Sequence, residues 1–182
     1  MKKYLIRLPL ILYPYAYLIW LAFYFASAII AGEHVDSEVI LDVYGMIFII
    51  FQIIVLADVI YGAIEMARNG ITAKQAARLN LVVKCVHIPA YIFHFFMGLL
   101  GICMSVWGIG FILVAFVVDA VTILLSGMHA IGSVVKLYRE GVLPTKASAV
   151  MYGIGSFIYV LDVVIAFVLV YKERKFNSGM KL

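Results

Sequence analysis

The chain alternates long apolar runs with short polar stretches. Each run holds the ~20 residues that a helix needs to cross ~30 Å of hydrocarbon. The predicted helices are Leu8–Ile30, Val39–Ile64, Leu81–Ser105, Phe111–Val135 and Ala149–Tyr171. The pattern predicts an all-α polytopic transmembrane bundle of about five spans, forming a single domain over residues 1–182.

Composition agrees with a lipid environment. Of the 182 residues, 66% are hydrophobic and 13% are charged, and the mean hydropathy is +1.11. A soluble domain of this composition would expose large apolar patches and aggregate. The first run follows a basic start and contains Ala26-Ser27-Ala28, as a cleaved signal peptide would, but its length favours an uncleaved anchor.

The charges between the runs predict the orientation. Basic residues precede the first helix and surround the second and fourth connections, whereas Glu33, Asp36 and Glu38 lie in the first. Because cytoplasmic loops are rich in Lys and Arg, we expect a cytoplasmic N-terminus and, with five spans, a C-terminus outside. The basic tail, with Lys172, Arg174, Lys175 and Lys181, disagrees with this orientation.

The second and fourth helices end in similar sequences. Gly70 and Gly141 each follow a polar pair and precede an apolar residue, as expected of the left-handed residue that closes a helix. Thr72 and Gln75 then have the spacing of a capping box. We therefore expect one anchor helix followed by two parallel-repeat hairpins, 39–105 and 111–171, although a chance similarity is the alternative.

Polar residues recur at steps of three and four inside the runs, so each set lies on one helix face. The candidates for an intramembrane polar network are Asp58, Glu65, Lys84, His87, Tyr91, His94, Asp119, Ser126, His129, Tyr159 and Asp162. Four such faces are expected to pack together. Counting residues along the helices predicts two layers, with Asp58, His87 and His129 in the cytoplasmic half and His94, Asp119 and Asp162 in the other.

Charged groups inside a bilayer cost at least ~2.5–3.5 kcal/mol each and need partners or a cavity. Histidine and buried carboxylates can relay protons or hold a cation. They also suit a divalent metal, for which the candidate ligands are His87, His94, His129 and Asp119. The alternative is a structural network of interhelical hydrogen bonds. Lys84 is expected at the interface, with Glu65 as its ion-pair partner.

Several function classes are excluded or unsupported. Cys85 and Cys103 are too far apart for a CxxC motif, and no nucleophile-elbow, HExxH or phosphate-loop motif occurs. A cofactor and a nucleic-acid partner are therefore not expected, and a membrane enzyme is the third hypothesis for the function. The expected partners are the lipid bilayer and either a second copy or another membrane protein.

Two segments carry a resemblance. Asn80 to Tyr91, containing Lys84, His87 and Pro89, and Tyr159 to Val164, containing Asp162, resemble a group of small bacterial polytopic membrane proteins of unknown function. This resemblance implies a bacterial cytoplasmic membrane and assigns no activity. The leading hypothesis is a small transporter-like or proton- or cation-handling bundle. The alternative is a non-catalytic membrane subunit or immunity-type regulator that binds a partner membrane protein.

Overall fold

The computed structural model describes residues 7–31, 37–68 and 71–179, and these residues form six α-helices and no strand. The helices are α1 (Leu8–Ala31), α2 (Ser37–Ala67), α3 (Ala73–Cys103), α4 (Ile109–Arg139), α5 (Lys146–Gly155) and α6 (Leu161–Gly179). A short 3-10 helix, Ser105–Gly108, precedes α4. The acidic residues Glu33 and Asp36, Gly70 and the terminal lysines lie outside the described residues.

Three helical stretches are long and apolar enough to cross a membrane. They are Asp42–Ala67, Ala73–Cys103 and Ser105–Arg139. An apolar stretch, Leu8–Trp20, also lies in α1. The all-helical prediction is confirmed, and long apolar helices are present where the second to fourth were expected.

Helices α1 to α4 run alternately up and down. Arg7 contacts Glu65 near the end of α2, and Lys84 of α3 meets Ser126 of α4 while His94 meets Asp119, as antiparallel neighbours do. We call the end with Arg7 and the connections between α2 and α3 and between α4 and α5 the base, and the end with Ser105–Gly108 the apex.

The predicted capping box at Thr72 and the predicted cap at Gly141 form at the base. The Thr72 hydroxyl accepts the Gln75 backbone N–H at 3.3 Å, and the Gln75 side chain accepts the Thr72 N–H, which completes the capping box. Gly141 has φ +77°. The backbone N–H of Gly141 donates to Tyr138 and that of Val142 to Leu137, which is the expected Schellman cap.

The two base turns are bonded to each other. The Glu140 carboxylate accepts the Ala73 N–H at the start of α3 (3.0 Å), and the Arg139 guanidinium donates to the Ala67 carbonyl at the end of α2 (2.6 Å). Each charge has the sign that complements the dipole of the helix end it contacts. These contacts hold the base ends of α2, α3 and α4 together.

The fifth predicted helix, Ala149–Tyr171, is wrong as a single helix. Helix α5 ends at Gly155, the chain turns through Ser156–Val160, and α6 begins at Leu161. Val160 has φ +67°, which is an unusual conformation for a β-branched residue. Since α5 has 10 residues and α3 has 31, the two hairpins are not equivalent.

Helix α6 returns to the base. A Cβ added to Gly155 would meet the side chains of Leu161 and Ile165, so α5 and α6 lie against each other, and a Cβ on Gly141 at the base would lie 3.7 Å from the Phe176 ring. One apolar cluster joins α6 to the base ends of α3 and α4, and its buried members are Ala73, Ala77, Val134, Leu137, Val142, Leu143, Ile165, Leu169 and Val170. Helices α5 and α6 are therefore a short hairpin whose tip, Ser156–Val160, points towards the apex.

Glycines on α4 allow the close approach of other elements. A Cβ at Gly127 would lie 2.7 Å from the Phe157 ring and 3.0 Å from the Ser156 carbonyl oxygen of the tip. A Cβ at Gly132 would lie 2.5 Å from the Ala63 carbonyl oxygen of α2. The hairpin tip and α2 thus pack directly against the backbone of α4, about halfway along it.

Candidate functional site

The polar faces of α3 and α4 are buried against each other. Their buried polar residues are Asn80, Lys84, His87, Tyr91, His94, Thr122, Ser126, His129, Ser133 and Lys136. The hairpin adds Ser156 and Asp162, which are fully buried, whereas Tyr159 remains 42% exposed. The polar faces of α3 and α4 thus lie in the interior of the bundle.

Lys84 holds the hairpin tip to the bundle. Its ammonium donates to Asp162 Oδ2 at 2.7 Å, to Ser126 Oγ at 2.7 Å and to the Ser156 carbonyl at 3.4 Å. Both charged side chains are completely buried. The second carboxylate oxygen of Asp162 accepts the Val163 N–H at 2.8 Å. The expected interface position of Lys84 and its pairing with Glu65 are therefore wrong.

Glu65 instead shares Arg7 with Asp58. The buried guanidinium lies 2.6 Å from Asp58 Oδ1 and 2.6 Å from Glu65 Oε2, and it also donates to the Asp58 carbonyl at 3.1 Å. It packs on Gly62, where a Cβ would approach the Arg7 Cζ to 2.7 Å. Arg7 was expected only as part of the basic N-terminus. In the sequence Arg7 cannot be distinguished from the other basic residues at positions 2–7. Its separation from α2 along the chain does not predict a contact.

His94 and Asp119 form the third charged pair. His94 Nδ1 and Asp119 Oδ1 are 2.5 Å apart, and the Tyr17 ring lies 5.3 Å from the imidazole ring. The imidazole is buried, and the carboxylate side chain is 16% exposed. The carboxylate reaches a cleft of about 620 Å³ that lies above the hairpin tip, between α3 and α4. The predicted apical layer therefore holds His94 and Asp119, whereas Asp162 belongs with Lys84.

Several buried polar atoms have no hydrogen-bond partner among the described residues. They include both ring nitrogens of His129, both amide atoms of Asn80, Ser133 Oγ, His87 Nδ1 and His94 Nε2. The other ring nitrogen of His87 lies 3.1 Å from the Leu10 carbonyl. Buried polar groups are nearly always bonded to protein or to water, so this concentration marks the base half of the α3–α4 interface as unusual.

The titratable groups are close enough to interact electrostatically from base to cleft. His129 interacts with Arg7, Lys84 and His87. Tyr91 and Tyr159 interact with both Asp162 and Asp119, and their rings lie 5.2 Å apart. Charged groups therefore lie along the interior from Arg7 at the base to the His94–Asp119 pair at the cleft.

The metal-site hypothesis gains no support from this geometry. Of the four candidate ligands, only His94 and Asp119 are in contact. Over residues 7–31, 37–68 and 71–179, no group of three or more His, Cys, Asp or Glu side chains is placed to hold a metal ion.

The tip contributes a group that sequence reasoning missed. The Ser156 carbonyl contacts Lys84 because the helix breaks there. A signal was present in Gly153 and Gly155, which weaken a helix just before the break.

Comparisons with protein-family models, with curated proteins and with solved structures found no match. The resemblance of the segments around Lys84 and Asp162 to small bacterial membrane proteins stays an expectation. The chain is thus characterised by its own architecture, an all-helical bundle with three long apolar helices and a short hairpin ending beside buried charges.

Proposed function

We propose that this chain is an integral membrane protein in which α1–α4 cross the bilayer and the α5–α6 hairpin enters it from the base without crossing. Helices of 24 and 31 residues measure about 36 and 46 Å, enough for ~30 Å of hydrocarbon. Helix α5, with 10 residues, measures about 15 Å and reaches about halfway. Irregular backbone at that depth is tolerated where protein or a cavity surrounds it, and the tip has Gly127, Lys84 and the cleft around it.

This topology also accounts for the basic tail. Every described lysine and arginine lies in the base half of its helix, in a base turn or, for Arg7, just before α1. With α6 folded back, Lys172, Arg174 and Lys175 join the other basic residues. We therefore propose that both termini are cytoplasmic, in the cytoplasmic membrane of a bacterium, instead of a C-terminus outside.

We further propose that the interior handles protons or cations. The observation that carries this proposal is the series of charged groups inside the bundle, from Arg7 at the base to the Asp119 carboxylate at the cleft. These groups include four carboxylates, Asp58, Glu65, Asp119 and Asp162, but two basic side chains, Arg7 and Lys84. The remaining negative charge favours the uptake of a proton or another cation, because uncompensated charge in a bilayer interior is costly.

The experiment is a flux assay in liposomes. We expect the wild type to conduct protons or monovalent cations down an imposed gradient, and Asp119→Asn to reduce the flux at least tenfold because the carboxylate at the cleft is neutralised. His94→Ala should also reduce it. Asp42→Asn, which neutralises an exposed carboxylate on α2, should leave it unchanged.

Folding of each variant is checked by its elution in size-exclusion chromatography. Equal flux in wild type and in Asp119→Asn would contradict the proposal. The absence of flux across a panel of cations in folded wild type would do the same, and would favour a non-catalytic subunit that binds another membrane protein.

A further inference from the structure

The cleft above the hairpin tip combines one carboxylate with several aromatic rings. Asp119 and His94 lie at its polar side, and Phe95, Phe116, Phe157 and Tyr159 are among the residues that line the rest. Its volume of about 620 Å³ is in the range that holds small organic ligands. The cleft exists because the hairpin covers only the base half of this side of α3 and α4.

The charges around Asp119 leave it without a permanent cation. Its one ion-pair partner among the described residues is His94, whose Nδ1 lies 2.5 Å from Asp119 Oδ1. An imidazole carries a positive charge only when it is protonated. The described titratable groups that interact with the carboxylate include the hydroxyls of Tyr17, Tyr91 and Tyr159, none of which supplies positive charge. Lys84 is already occupied by Asp162, Ser126 and Ser156.

Aromatic faces complete the electrostatic environment. The faces of phenylalanine and tyrosine rings attract cations that lie within ~6 Å. A carboxylate together with aromatic and aliphatic walls therefore favours a ligand that carries positive charge on an apolar body. A small hydrated ion would leave the apolar walls unmatched, and an anion would meet Asp119.

We propose that this cleft binds a lipophilic organic cation, with the cationic centre at Asp119 and the apolar groups against Phe95, Phe116, Phe157 and Tyr159. This inference names the substrate class of the cleft. As a statement about transport it rests on the proposed function, but the binding step can be measured without any flux. A proton on the His94–Asp119 pair removes the negative charge, so proton and organic cation compete for the same site.

The test is equilibrium dialysis of tetraphenylphosphonium against the purified full-length protein in a non-ionic detergent. We expect saturable binding at one site per chain. Asp119→Asn should weaken it at least tenfold, while Asp42→Asn should bind as wild type does. Phe116→Leu should weaken it about threefold to tenfold through the loss of one ring face.

A second variant separates loss of charge from loss of shape. Ala120→Trp fills the cleft from an exposed position on α4 and keeps Asp119 intact, so we expect it to abolish binding while thermal stability is retained. Equal binding in wild type, Asp119→Asn and Ala120→Trp would show detergent partitioning and overturn the proposal. Proton flux without cation binding would refute this inference alone, whereas binding without any flux would refute transport and keep the cleft as a binding site.

Discussion

At the scale of single residues, the interior depends on charges that are paired across different helices. Lys84 is buried on α3, Asp162 comes from α6, and Ser126 comes from α4. A buried ion pair contributes little net stability compared with apolar residues, but removing one partner leaves a desolvated charge behind. The pair therefore determines the position of the hairpin tip, because any other position of α6 would leave both buried charges without a partner.

Replacing one partner should be worse than replacing both. We expect Lys84→Met to lower the free energy of unfolding by about 3–5 kcal/mol, because Asp162 is left unpaired. The double variant Lys84→Met/Asp162→Asn should recover most of this loss. Denaturant titration in mixed micelles, followed by circular dichroism, measures both.

Lys146→Met removes an exposed lysine from the start of α5 and serves as the control, with an expected change within about 0.5 kcal/mol. If the double variant loses as much free energy of unfolding as Lys84→Met and Asp162→Asn lose separately when added together, the charges do not act as a pair.

At the scale of elements, the short hairpin is the part that the apolar pattern could not predict. The stretch from Ala149 to Tyr171 is apolar throughout apart from Ser156 and Asp162, so its hydropathy fits one helix. The break becomes favourable only when α3 supplies Lys84 and α4 supplies the bare backbone at Gly127. Those are tertiary contacts, and no local pattern encodes them.

The break is strained at one residue, which can be tested directly. Val160 has φ +67° and is 61% exposed, so Val160→Gly should remove the strain and lose little buried surface. A non-glycine residue held in this region costs about 1–3 kcal/mol. We expect Val160→Gly to raise the free energy of unfolding by about 1 kcal/mol after the larger chain entropy of glycine is included.

The matched control is Val163→Gly, three residues later inside α6, where the backbone is helical. Glycine there should lower stability by about 1 kcal/mol. A loss of stability in both variants would argue against the left-handed turn at Val160.

Other features could be predicted from the sequence because they are local or periodic. Polar residues at steps of three and four identified the faces of α3 and α4 that are buried, and Gly141 and Thr72 marked the caps at the base. The partner of each charge could not be predicted. Glu65 binds Arg7 and not Lys84 because α1 lies against α2 at the base, which spacing along the chain does not reveal.

At the scale of the whole molecule, the base and the apex differ in charge and in construction. At the base lie the two bonded turns, the ion pair of Arg7 with Asp58, and the open end of the α5–α6 hairpin. At the apex lies a short connection in which the backbones of Gly101 and Gly108 are in contact. The half-length hairpin leaves the apical half of one α3–α4 face uncovered, and that face holds the cleft. In a membrane this arrangement would give the cleft access from the lipid.

The central claim is that the chain after Gly155 returns to the side from which α5 entered. It is tested by single-cysteine labelling with a membrane-impermeant maleimide, in intact and in permeabilised cells, after Cys85 and Cys103 are replaced by alanine. Cysteines at the exposed positions Thr145, Ser178 and Val106 report the base turn, the end of α6 and the apex. The account predicts that Thr145→Cys and Ser178→Cys are labelled only after permeabilisation and Val106→Cys in intact cells. Labelling of Ser178→Cys together with Val106→Cys in intact cells would contradict it.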